Sequence, residues 1–207
     1  MVQAVSTELT PLKVQQIVDI FLEKLGEPTD EWQHQALEQY KKGDAKGVKK
    51  IYASHLRDFY SKCLGFLVSA TSINPNLRKI LAAAANAVAD YAQVKALDEI
   101  SSGNAIAFDS PDPVGNATTN ILKFLKPRTD YHQLALDART NYDALKELEK
   151  EHPEDHLIKA LLYLTKATPD SPVLYTIIAE AAATAALHTR NLEHQEISDA
   201  IDAALIS

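Results

Sequence analysis

Scarcity says as much about this chain as abundance does. Cysteine occurs once in 207 residues, at Cys63, so neither an internal disulfide nor a thiolate metal cluster can form. A chain without disulfides suits a reducing compartment, and a cytoplasmic location is the expectation. Glycine occurs only six times while alanine is abundant, a balance that favours helix. No long hydrophobic run exists. The longest apolar stretch, Cys63 to Ala70, is broken by Ser69 and is far too short to span a bilayer. The first residues, Met1 to Pro11, show no basic segment followed by an apolar one, so no signal peptide and no membrane association are expected.

Positive charge is also in deficit. The net charge is −7 and the pI near 5.5, and an acidic surface repels nucleic-acid phosphate and anionic lipid. The densest basic stretch, Lys41, Lys42, Lys46, Lys49 and Lys50, has no interleaved aromatics and reads as a solvated helix end and turn. What remains is ordinary for a folded protein, with 46% apolar and 24% charged residues.

Helix punctuation runs the length of the chain. Thr10-Pro11, Asn74-Pro75 and Ser171-Pro172 each place a capping side chain before a proline at a helix start. The first helix carries Val14, Ile17, Phe21 and Leu25 at spacings of three and four, and stops at Gly26. A second carries Trp32, Ala36 and Tyr40. Asp44 caps a third, expected to be long and to reach about Ser72, and an Ala-rich fourth runs from Asn74 to near Gly103. The stretch from Gly103 to Gly115 has two prolines and no helical period, so it reads as a connector whose Ile106 and Phe108 tuck against the helices; a docking strip is the other possibility. Helical pattern resumes at Asn116, and a proline restarts it at His152-Pro153. No segment alternates with period two, so no sheet is expected.

The central feature is self-similarity. Residues 49–101 laid on 146–198, an offset of 97, give 18 identities in 53 positions. Pro75 meets Pro172, His55 meets His152, and Glu99-Ile-Ser101 meets Glu196-Ile-Ser198 in one register. Composition alone does not align these. Upstream the offset drifts, pairing Thr29-Asp30 with Thr129-Asp130 and His34 with His132. The expected fold is therefore all-α: a tandem duplication of a roughly four-helix unit packed as a pseudo-twofold helical bundle. Its parts are repeat 1 at 9–104, the connector at 105–115 and repeat 2 at 116–205, packed together as one compact domain. Alanines shared at 82/179, 84/181, 85/182 and 89/186 suggest that the two Ala-rich helices are wedged among others.

Chemistry is harder to find. Glu31-x-x-His34 and Glu149-x-x-His152 match the element that a dinuclear carboxylate bundle needs twice. They do not correspond in the repeat, as His152 pairs with His55, which has Tyr52 where a glutamate is needed. No metal site is assigned. Cys63 lies on an apolar stripe and reads as a buried, inert thiol, with Ala160 as its repeat partner. Gly43 to Gly47 lacks the Gly-Lys-Ser/Thr ending of a phosphate loop. No catalytic residue and no cofactor is assigned.

The resulting expectation is a helical protein-interaction or regulatory module without its own catalytic site, partnered by another protein or by a second copy. The rival is a bundle holding a small apolar ligand, haem or metal between the repeats, possibly as an enzyme. Tyr91, His188, His34 and His132 are then the ligand-binding candidates.

Overall fold

Thr10 does what its place before Pro11 requires. Its hydroxyl accepts the Lys13 N–H at 3.3 Å, and α1 (Pro11–Leu25) starts at the proline. The computed structural model describes residues 9–206. Of the opening segment read for a signal peptide, residues 1–8 lie outside that range. The other helices are α2 (Glu31–Lys41), α3 (Ala45–Ser54), α4 (Phe59–Leu67), α5 (Leu77–Phe108), α6 (Pro113–Leu122), α7 (Asp130–Asp137), α8 (Tyr142–Glu151), α9 (His156–Leu164) and α10 (Leu174–Ile206). Among the described residues the protein is all-helical, and no helix is long and apolar enough to cross a membrane.

Two helix boundaries differ from the sequence reading. The long third helix is in fact two, because His55 leaves helical geometry (φ −130°, ψ 60°) and Asp58 caps α4 by accepting the Ser61 N–H at 3.0 Å. An aspartate cap needs neither glycine nor proline nearby, so nothing loud marks the break. In the other half Pro153 marks it. The expected connector from 103 to 115 is mostly helical: α5 passes through Gly103 to Phe108, and α6 starts at Pro113, capped by Asp112. A mid-helix glycine costs only about 1 kcal/mol, which burial of Ala107 beyond it offsets. Ile106 does not tuck in as expected, being 76% exposed. Phe108 does pack, against the Tyr175 ring at 4.5 Å.

The chain divides into two units, Met1–Tyr91 with Glu193–Ser207, and Ala92–Leu192. The division therefore falls inside α5 and α10 and not at the stretch 105–115. In the first unit Ile17, Phe21, Leu25, Tyr60, Leu64 and Ala84 form a buried core that includes Ile197 from the end of α10. In the second, Ile121, Leu145, Leu157, Ile158, Leu161 and Ala181 do so with Ile100 from the end of α5. Starts of α3 and α8 (Ala45, Tyr142), of α4 and α9 (Phe59, His156) and of α5 and α10 (Leu77, Leu174) are each 97 residues apart. Of the matched alanines, 84/181, 85/182 and 89/186 are buried in both long helices, and 82/179 are exposed in both.

Gly26 ends α1 with φ 65° and ψ −158°, a backbone region that side chains exclude, while its carbonyl accepts the Tyr60 hydroxyl at 3.2 Å. Gly26→Ala is expected to destabilise the fold by about 1–3 kcal/mol, measured by urea unfolding; an unchanged midpoint would contradict this backbone assignment.

Candidate functional site

The residues best placed for chemistry gather in the second unit around the start of α9. Asp155 is its N-cap, and Oδ1 accepts the Ile158 N–H at 3.0 Å. The other oxygen, Oδ2, takes His132 Nε2 at 2.6 Å and the Tyr131 hydroxyl at 3.2 Å. His132 is buried, at the third position of α7, and its Nδ1 accepts the Arg128 backbone N–H at 3.1 Å. That acceptor role settles the ring: Nδ1 carries the lone pair and Nε2 carries the proton given to Asp155. His188, from α10, meets the His132 ring edge to face at 5.3 Å between centroids. Its Nε2 donates to the Lys126 carbonyl at 2.9 Å. Tyr131 stacks on His152 at 3.8 Å.

Electrostatics follow from burial and these bonds. Burial pushes the Asp155 pKa up, but the Ile158 N–H and the hydrogen bond from His132 outweigh it and hold the carboxyl below its ordinary 3.8. Burial lowers the His188 pKa below 6.5, favouring neutral imidazole, and it lowers that of His156 as well. The first unit also raises a thiol: burial pushes Cys63 well above its ordinary value, in agreement with an inert core cysteine.

The first unit holds the same arrangement in different residues. Asp58 caps α4 as Asp155 caps α9. At the third position of α2 stands Gln33, whose Nε2 donates to Asp58 Oδ1 at 2.8 Å. Its Oε1 accepts the Thr29 backbone N–H at 3.0 Å, as His132 Nδ1 accepts that of Arg128. Trp32 stacks on His55 at 4.7 Å, in the manner of Tyr131 on His152. Tyr91, 97 residues before His188, meets the Tyr60 ring edge to face at 5.6 Å. A glutamine amide and a neutral imidazole each offer one acceptor and one donor, so either can bridge the loop before the second helix to the cap of the fourth.

The four ligand-binding candidates thus part company. His132 and His188 come together, Tyr91 is buried in the first unit, and His34 is exposed on α2. Helix position pairs His132 with Gln33, one residue before His34. Sequence reasoning passed over Asp58 and Asp155, although they are an identity in the 97-residue register, because an isolated aspartate before a helix carries no catalytic signature. Glu149 is ion-paired with Lys146, and His152 is the C-cap of α8, which leaves that Glu-x-x-His element occupied internally. Among the described residues no three His, Cys, Asp or Glu side chains converge as a metal site.

Comparison with known proteins adds no relative. No family model, no curated protein and no solved structure matches this chain.

Because the unfolded chain takes up a proton at an ordinary imidazole pKa while folded His188 and His156 resist it, acidification favours unfolding. The melting temperature is expected to fall as pH drops through and below 6.5, with a further loss at lower pH as Asp155 is protonated. His188→Tyr, copying Tyr91, should shrink the first fall and leave the part due to His156. A melting temperature that rises on acidification through this window would contradict the assignment.

Proposed function

We propose that the chain is a non-catalytic helical interaction module, built from two diverged copies of one unit and presenting its surface to a protein partner or a second copy. The observation that carries this reading is the exchange of His132–Asp155 for Gln33–Asp58 in an otherwise equivalent network. An amide has no basic lone pair to take up a proton near neutral pH. What the two networks share is positional: each anchors the start of one helix to the cap of another. Descent from one unit is further supported by the 97-residue spacing of helix starts and by the shared buried alanines. A cytoplasmic setting goes with this proposal, since the one cysteine is a buried thiol.

The rival, a bundle binding a small apolar ligand, haem or metal, has one observation in its favour, the meeting of His132 and His188. Against it, His132 engages both ring nitrogens within the protein and His188 commits its Nε2 to a backbone carbonyl. Neither ring offers an Nε2 lone pair to a metal.

Two measurements test the proposal. His132→Gln should change stability by less than about 1 kcal/mol, whereas Asp155→Ala, which removes a cap and strands the buried Nε2 proton, should cost about 3 kcal/mol. Photo-crosslinking in cells from the exposed Leu12 and Tyr142 and the half-buried Tyr52 should give adducts of discrete mass that His132→Gln preserves. A stoichiometric metal or chromophore in the purified protein, lost on His132→Gln, would overturn it, as would the absence of any discrete adduct.

A further inference from the structure

The first unit has an open groove between α3, α4 and the start of α5, with a volume of about 650 Å³. Tyr52, Phe66 and Ile80 supply apolar walls, Gly65 leaves the floor open, and Lys49 and Lys62 stand at the rim. No carboxylate lines it. Among the described residues neither lysine has an ion pair, although Lys62 lies 5.4 Å from the Phe59 ring centroid. These lysines are two local positive charges on a chain whose net charge is −7.

The second unit shows what such lysines bind. Its groove at the corresponding place, about 300 Å³, is lined by Lys146 and Lys159, which lie 97 residues after Lys49 and Lys62. Tyr163 replaces Phe66 and keeps the aromatic wall. Two substitutions then narrow the groove. Leu162 stands where Gly65 leaves space, and Glu149 stands where Tyr52 does, paired with Lys146. Lys159 pairs with Glu154 at 3.6 Å. The second unit thus satisfies both lysines with its own carboxylates, while the first places no carboxylate in the lining around its pair.

Resting on the interaction-module reading above, we propose that the first unit's groove receives an acidic amphipathic helix from a partner protein. Apolar side chains one turn apart would lie on Phe66, Tyr52 and Ile80, and flanking carboxylates would pair with Lys49 and Lys62. Charge at the rim would select the partner and speed encounter, while the apolar floor would hold it. A groove of about 650 Å³ has room for two or three such side chains, and its lining runs beside α4 from Lys62 to Phe66 and on to Ser69.

Fluorescence anisotropy tests this with the full chain and a labelled helical peptide bearing leucines at i, i+4 and i+7 and glutamates on both flanks. Wild-type protein should bind it, and glutamine in place of the glutamates should weaken binding about tenfold, the sum of two partly exposed ion pairs. Lys49→Glu with Lys62→Glu should have the same effect. Gly65→Leu, which copies Leu162, should abolish binding without lowering the melting temperature, because an added Cβ meets no atom within 4 Å and leucine favours helix. Equal binding by Gly65→Leu, equal binding of the glutamine peptide, or binding of dodecanoate but not of the peptide would overturn the proposal. Discrete cross-links from Leu12 or Tyr142 without peptide binding would remove the groove and leave the module reading standing.

Discussion

In each unit a carboxylate at the start of one helix is shared between two tasks. One oxygen of Asp155 closes the first turn of α9, and the other holds His132 at the start of α7. In the first unit Asp58 caps α4 and holds Gln33 in the same way. The helix ends joined here lie 23 to 25 residues apart in sequence, and the bond fixes where the second helix begins relative to the fourth. The loop before the second helix is tied in as well, through the far side of the same glutamine or imidazole. His188 then reaches that loop from α10, through the Lys126 carbonyl.

This constraint explains why the polar residues that look most chemical are so fully engaged. A buried donor or acceptor left without a partner costs about 1–3 kcal/mol, so a polar bridge inside a helical unit persists only if every member is satisfied. Histidine and glutamine both meet the requirement, so either serves where position is what matters. The groove between α3, α4 and α5 is different. There the shared feature is a pair of lysines, and the two units answer their charge differently, one with Glu149 and Glu154 and one without a carboxylate in the lining.

Legibility in the sequence followed the size of the local signal. Cap-proline pairs mark the segments that lead into α1, α5 and α10, because a capping oxygen and a fixed proline φ act within a single turn. The break between α3 and α4 was missed, since Asp58 does its work through one hydrogen bond and is flanked by residues that suit a helix. The continuation of α5 past Gly103 was missed for the opposite reason: a residue that weakens a helix by a small amount was outweighed by burial of Ala107 and its neighbours. Upstream of residue 49 the matched positions are set by capping roles and not by identity, so Gln33 and His132 could not be paired by letter.

By itself the sequence determined an all-helical protein, the places where most helices start, and the 97-residue register, because these depend on propensity, capping and periodicity within a few turns. Tertiary structure alone decided that the end of α10 packs into the first unit's core and the end of α5 into the second's, through Ile197 and Ile100. It also decided which histidines meet, which lysines keep a carboxylate, and that Gly65 opens a groove where Leu162 fills one. Such outcomes depend on burial and on partners far away along the chain, and no local pattern encodes them.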